Sequence, residues 1–367
     1  VRAILERLPW TTAVPVAALV ALALTWNRYP GPVALGVVAV LLGGSVLAAV
    51  HHAEVIAHRV GEPFGSLVLA VAVTVIEVAL IVTLMVSTEG DTSTLARDTV
   101  FAAVMICLTG IVGVSLLIGS LRTHLAVFNP EGSGAALATV ITLAALGLVA
   151  PSYTTTEPGP EYSGPQLAFA AVCALALYAL FLFTQTVRHR DFFLPVPLEE
   201  EGPHDEDEDG HADPPSDREA LTSLLLLTVA LVAVVGLAKV ESPAIEAGVA
   251  ALGFPASFVG VVIAMLVLGP EFLAAANAAR KDRVQTSLNL AYGSSLACIG
   301  LTIPTIAVAS IWLEGPLYFG LDPLQVLLLL VTVLVSVLTV VPGRAKPLQA
   351  GIHLALFAAF LFLSVQP

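Results

Sequence analysis

The stretch Pro63 to Met85, PFGSLVLAVAVTVIEVALIVTLM, decides the fold. From Phe64 onward it is an apolar run long enough to cross a bilayer as a helix, and it carries a single charge, Glu77. A carboxylate at that depth costs on the order of 2.5 kcal/mol or more on insertion scales, so it faces protein or water rather than lipid and marks a functional site. A second glutamate stands in the same setting far along the chain. Phe254 to Ala279 form another apolar run, carrying Gly269-Pro270-Glu271. Superposing Glu77 on Glu271 also brings Gly61-x-Pro63 onto Gly253-x-Pro255 to within two residues, so the two halves read as copies.

Composition points the same way. Of 367 residues, 57% are hydrophobic and only 12% charged, with a mean hydropathy of +0.93. No soluble fold of this size hides so much apolar surface, and the runs lack the period-two alternation of a membrane β-barrel. The net charge of -13 is local: eleven acids and one base, Arg218, fall between Leu198 and Ala220, which leaves 17 acids against 14 bases elsewhere. Cys107, Cys173 and Cys298 all lie in apolar runs and read as small core residues, with no disulfide or metal spacing. No basic, aromatic-interleaved patch suggests nucleic acid. The first apolar segment reads as part of the bundle rather than a cleaved leader.

The expected fold class is an all-α polytopic membrane protein. Its spans are Pro9 to Trp26, Pro32 to Val50, Phe64 to Val86, Thr99 to Leu121, Gly134 to Ala150, Pro165 to Val187, Ala220 to Ala238, Phe254 to Ala279, Leu288 to Trp312, Pro323 to Val341 and Leu348 to Val365. With the N-terminus inside, the inner segments hold twelve Lys and Arg residues and the outer ones three, Arg28, Arg97 and Lys239. That is the bias expected of cytoplasmic loops, and it puts the C-terminus outside. About eleven transmembrane helices then divide into one extra N-terminal helix (1–30) and two five-helix repeats (31–190 and 220–367), joined by an acidic cytoplasmic linker (191–219). An odd number of helices per copy forces the second repeat to insert upside down relative to the first, the plan of many secondary transporters. One helix after the glutamates the repeat recurs: Thr109-x-x-x-Gly113-x-Ser115 matches Asn289-x-x-x-Gly293-x-Ser295 at an offset of 180.

These polar groups define a chemistry. Two carboxylates, Glu77 and Glu271, with oxygens from Thr74, Thr109, Ser115, Asn289, Ser294 and Ser295, make an oxygen-only site that suits a hard cation such as Ca²⁺ and offers no soft ligand. Pro270 lacks an N–H, so the Leu266 carbonyl loses its helical partner one turn from Glu271 and becomes a further ligand. Two carboxylates crowded in a low dielectric repel each other, so an empty site takes up protons that an arriving cation must displace. That competition is the physical basis of cation/proton exchange.

The motifs His51-His52-Ala53-Glu54, Gly61-Glu62-Pro63-Phe64-Gly65 and Val73-Thr74-Val75-Ile76-Glu77-Val78 resemble the first repeat of bacterial ChaA-type Ca²⁺/H⁺ antiporters, in the cation/proton exchanger branch of the Ca²⁺/cation antiporter superfamily. Gly269-Pro270-Glu271, Asn289 to Ser295 and Ile299-Gly300-Leu301-Thr302-Ile303-Pro304 resemble the second. The resemblance covers nearly the whole chain and implies a fold of one plus five plus five helices, with Glu77 and Glu271 as the central cation and proton carriers. Thr74 and Leu268 stand where wider superfamily members often have Asn, and Thr109 where close relatives have Asn. Ca²⁺, Na⁺ and K⁺ therefore stay open as the exported ion.

Glu62, His51, His52, Glu54 and His58 are candidates for a proton or entry path. The spacing of the histidines would also suit a metal on one helix face, against a reading as a solvated helix end. The acidic linker, with His204 and His211, reads as a solvated loop. A metal-dependent intramembrane hydrolase is the remote alternative, and H-E-x-x-H and G-x-S-x-G are both missing from the chain. The expected partners are membrane lipid, inorganic cations and protons, with no resident cofactor. The sequence sets no oligomeric state.

Overall fold

The computed structural model describes residues 9–26, 28, 30–61, 64–87, 93–196, 215–312 and 316–367, without the side chains at 64–67, 69, 70, 73, 77, 84, 86, 87 and 123. Glu62 and most of the acidic linker lie outside the described residues, as does the side chain of Glu77. The helices are α1 (Trp10–Thr25), α2 (Pro32–Val60), α3 (Phe64–Ser87), α4 (Leu95–Met105), α5 (Val112–Thr123), α6 (Pro130–Ala144), α7 (Gly164–Phe183), α8 (Asp217–Ala251), α9 (Phe258–Arg280), α10 (Val284–Ala309), α11 (Pro323–Val340) and α12 (Pro347–Val365). A π-helical stretch, Ile106–Ile111, joins α4 and α5 into one rod. Among the described residues nine helices are long and apolar enough to cross a membrane. The short α1 and the partly described α3 complete the eleven expected segments.

Helix starts are written locally. The side chain of Ser216 caps α8 while Glu219 reaches back to the Ser216 N–H (2.8 Å), and Asp322 and Gln325 do the same for α11. The stops explain the repeated Gly-x-Pro. Gly61 and Gly253 both have positive φ, 75° and 72°, a left-handed turn that glycine enters without a Cβ clash.

Two spans run well past their expected ends. Helix α2 continues from Val50 to Val60, so His51, His52, Glu54 and His58 are helical rather than frayed. Helix α8 continues from Ala238 through Lys239 and Glu241 to Ala251. The Lys239 ammonium rests 5.0 Å over the Trp26 ring and Glu241 is buried, so charges that read as a span's end are absorbed by packing. The eighth span begins four residues later than expected, after a turn closed by the Phe258 N–H on Pro255 O.

Apolar packing falls into two clusters. One joins α1, α2 and α8 with one face each of α3 and α9, and the other joins α4 to α7 with α10 to α12 and the opposite face of α9. Val259, Ile263 and Val267 serve the first cluster, while Val261, Ala264 and Leu268 serve the second. Helix α9 is therefore apolar all round because both faces are covered. At the ends of the bundle, a two-residue antiparallel ladder pairs β1 (Ala126–Val127) with β2 (Arg344–Ala345), and Arg122 bridges Asp282.

Between membrane helices, association rests on close contact rather than on release from water, and small residues set how near two backbones come. Gly260 is the tightest such point on α9, since a Cβ there would lie 2.9 Å from both the Asp98 carbonyl carbon and the Thr99 nitrogen. Two backbones cannot yield as a side-chain tip can. Gly260→Val is expected to destabilise the protein by about 1 to 3 kcal/mol, read as a lowered unfolding temperature in detergent.

Candidate cation site

Glu271 sits on the seam of the two clusters. It lies one turn beyond Val267 of the first and three residues beyond Leu268 of the second, so it belongs to both stripes at once. Pro270 stands beside it inside α9. The residue is 8% exposed and forms the wall of a cavity of about 220 Å³ together with Pro270, His51, Glu54, Trp10 and Leu290. On α2, Leu47, Val50, His51 and Glu54 line this cavity because they share one helix face. Of the entry-path candidates, the structure thus brings His51 and Glu54 to Glu271.

His52 points the other way. It is 4% exposed, with Nδ1 3.3 Å from Ser223 Oγ and Nε2 3.0 Å from the Thr11 carbonyl, and so ties α2 to α8 and α1. The solvated-end reading fails for His52 and holds for His51, Glu54 and His58, which are exposed. Among the described residues no three His, Cys, Asp or Glu side chains come together as a metal-binding group, so the histidine spacing does not build one.

The hydroxyls divide sharply. Ser115 and Ser295, which the sequence pairs at an offset of 180, are both buried, and among the described residues neither oxygen has a hydrogen-bond partner, a state they share with Ser45, Thr302 and Ser336. A buried hydroxyl left unmet costs about 1 to 3 kcal/mol, so Ser115 and Ser295 remain candidate ligands. Thr109 instead donates to the Met105 carbonyl within its own helix, Thr74 is buried, and Ser294 is half-buried. Asn289 is committed elsewhere: its Nδ2 donates to Phe193 O at 2.6 Å and its Oδ1 accepts from Gln285 Nε2 at 2.8 Å. The Nδ2 end holds α10 against the segment after α7, the Oδ1 end is taken by Gln285 of the same helix, and Asn289 is not among the residues lining the Glu271 cavity.

His353 escaped the sequence reading. Fully buried on α12, it has Nδ1 2.8 Å from the carbonyl of Leu108, inside the π-helical stretch, and Nε2 3.1 Å from Thr339 Oγ1. A π turn widens the helix and turns carbonyls toward outside donors, and His353 meets one of them. A lone histidine in the apolar run Gly351 to Phe362 was the available signal.

A helical bundle with an acidic residue buried at the meeting of two packing clusters, beside a proline inside its own helix and on the wall of a cavity that His51 and Glu54 also line, has the character of a membrane carrier of the secondary-transporter class. The family model for the sodium/calcium exchanger protein matches residues 31–187 and 222–366. The chain belongs to the sodium/calcium exchanger family. It is 44% identical over 331 residues to a Sinorhizobium fredii protein, y4hA, whose name describes an ionic transporter, covering 89% of this chain and 87% of that one. It is 34% identical over 351 residues to the sodium-potassium/proton antiporter ChaA of Escherichia coli, covering 95% and 93%. In fold it is similar to native YfkE, with a TM-score of 0.72 at 16% identity, covering 98% of this chain and 99% of that one. The resemblance to ChaA-type exchangers and the all-α polytopic fold are therefore established.

Removing an unmet buried hydroxyl relieves its desolvation cost. Ser115→Ala and Ser295→Ala are each expected to leave stability unchanged or raise it by up to about 1 kcal/mol, while weakening cation binding several-fold. Thermal unfolding and equilibrium dialysis of the same purified samples check both halves of this expectation.

Proposed function

We propose that this protein is a cation/proton antiporter that exports Ca²⁺ in exchange for H⁺, by alternating access around Glu77 and Glu271. The observation that carries the reading is Glu271 itself, a carboxylate on a cavity wall where two packing clusters meet, in a chain of the sodium/calcium exchanger family. A cation bound there is held by both clusters, so a change in their relative position changes which side reaches it. The two repeats, 31–190 and 220–367, supply equivalent halves of the site, and the linker at 191–219 joins them without taking part in the chemistry.

The orientation follows from Lys and Arg. The cytoplasmic end carries Arg59 and Arg122, paired with Asp217 and Asp282, and the Glu271 cavity lies toward it, walled by His51 and Glu54. Cation enters there from a bacterial cytoplasm, and inward proton flow across the inner membrane expels it. His51 and Glu54 stand on the entry path, and Asn289 positions α10.

A second reading keeps the same site and exports Na⁺ or K⁺. The Escherichia coli relative, 34% identical, is named for sodium, potassium and protons, and one carboxylate fewer in charge balance suffices for a monovalent ion. Everted vesicles carrying a pH-sensitive dye, challenged in turn with Ca²⁺, Na⁺ and K⁺, separate the two readings. Proton movement with Na⁺ or K⁺ but none with Ca²⁺ overturns the calcium assignment.

Glu77→Gln and Glu271→Gln are each expected to abolish exchange with the protein still folded in the membrane, because an amide neither carries the proton nor balances a divalent charge. Substantial cation-driven proton movement by either variant counts against the site. Deleting residues 198–217 is expected to leave exchange intact at saturating cation, and an inserted deletion variant with no exchange would refute the linker reading.

Competition fixes the sign of the pH effect. Each proton displaced by the cation must first be bound, so affinity falls as pH falls, by at most about tenfold per pH unit per proton, and levels off once the carboxylates are ionised. Binding measured on purified protein from about pH 5.5 to about pH 9 checks this. Flat affinity with transport intact would assign the proton to other groups, His51 and Glu62 first among them.

A further inference from the structure

At the end of the bundle away from the Glu271 cavity, α4 opens with Arg97 and Asp98. Asp98 is 3% exposed, wedged against α9 where Gly260 admits its backbone. One carboxylate oxygen, Oδ1, takes every donor: Arg97 Nη2 at 2.8 Å, Arg97 Nε at 2.9 Å and Gln325 Nε2 at 3.2 Å. The other, Oδ2, is buried and accepts from none of the described residues. An arginine and a carboxylate that served only each other would pair fork to fork and use both oxygens. Here Arg97 Nη1 is spent on the Gly320 carbonyl at 3.1 Å instead.

Asp98 forms part of the wall of a cavity of about 60 Å³, together with Asp322, Ser257, Gln325 and Ser364. That volume holds a few water-sized particles. Asp322 is exposed, with Oδ1 capping α11 through the Gln325 N–H at 2.9 Å. Ser364 gives its proton to the Phe360 carbonyl at 2.7 Å, which leaves it only lone pairs to offer. The Gln325 side-chain N–H₂ already donates to Asp98. Between apolar side chains the wall offers two carboxylates and the oxygens of Ser257 and Ser364, with the Arg97 guanidinium bound to Asp98, a donor set for a hard cation with a net charge of about one unit to hold it.

We propose that Asp98 and Asp322 form a second, low-affinity cation site at the outer mouth of the bundle, taking a hydrated divalent cation. Val261 lines the same cavity and precedes Glu271 by ten residues on α9, so the two sites lie about 15 Å apart along the helix. Ca²⁺ as the physiological ion rests on the transport reading above, whereas the site itself rests on its own oxygens. Arg97 weakens it, since its charge opposes the cation, and a cation leaving the transporter is therefore not trapped there.

The test uses the full chain, purified, with Glu271→Gln removing the transport site. Equilibrium dialysis with radioactive Ca²⁺ near pH 8 should find a remaining site with Kd on the order of 10⁻⁴ to 10⁻³ M. Adding Asp98→Asn or Asp322→Asn should weaken it at least tenfold, and adding Arg97→Gln should tighten it several-fold, an effect of opposite sign that a merely structural ion pair would not produce. Asp322→Asn decides alone if Asp98→Asn fails size-exclusion, because Asp322 is exposed. No Ca²⁺ bound by the Glu271→Gln protein up to about 10 mM, or binding that neither aspartate variant alters, overturns the outer site. The transport reading fails separately, if the unsubstituted protein binds Ca²⁺ no more tightly than the Glu271→Gln protein does.

Discussion

A carboxylate inside an apolar helix bundle must be met by something, because lipid offers it no hydrogen bond and no counter-charge. Glu271 meets that demand by position. It stands where two separately packed groups of helices meet, on the wall of a cavity, next to a proline that interrupts the hydrogen-bond ladder of its own helix. Most of the cavity wall is apolar, and Glu271, His51 and Glu54 are its titratable groups.

The same rule governs the other polar groups of the bundle. His52 is met by Ser223 and Thr11, His353 by Leu108 and Thr339, and Asn289 by Gln285 and Phe193. His52 ties α2 to α1 and α8, His353 ties α12 to α11 and to the π-helical stretch, and the Asn289 bond to Phe193 ties α10 to the segment after α7. Ser115 and Ser295 break the pattern among the described residues, as do Ser45, Thr302 and Ser336.

Helix α9 gives this arrangement its mechanical sense. With one apolar stripe in each cluster and Glu271 where the stripes converge, it is packed by both clusters at once. Gly260 holds its far end close against the start of α4, and so the distance from the cation site to the opposite end of the bundle is spanned by a single helix.

Much of this was legible along the chain. Eleven apolar runs, the two intramembrane glutamates, the Gly-x-Pro stops and the capping residues are local signals, and hydropathy and backbone geometry act over a few neighbouring residues whatever the tertiary fold. The ends of α2 and α8 were misjudged for the complementary reason: the charges at His51, Glu54, Lys239 and Glu241 read as the end of a helix, whereas both helices run on through them, with Lys239 over Trp26 and His51 and Glu54 on the cavity wall. The fates of His52 and Asn289, the π turn with its histidine, and the meeting of His51 and Glu54 with Glu271 were decided only in three dimensions. A polar side chain in a membrane is defined by its nearest partner, and those partners stand between 41 and 245 residues away in sequence for His52, Asn289 and His353.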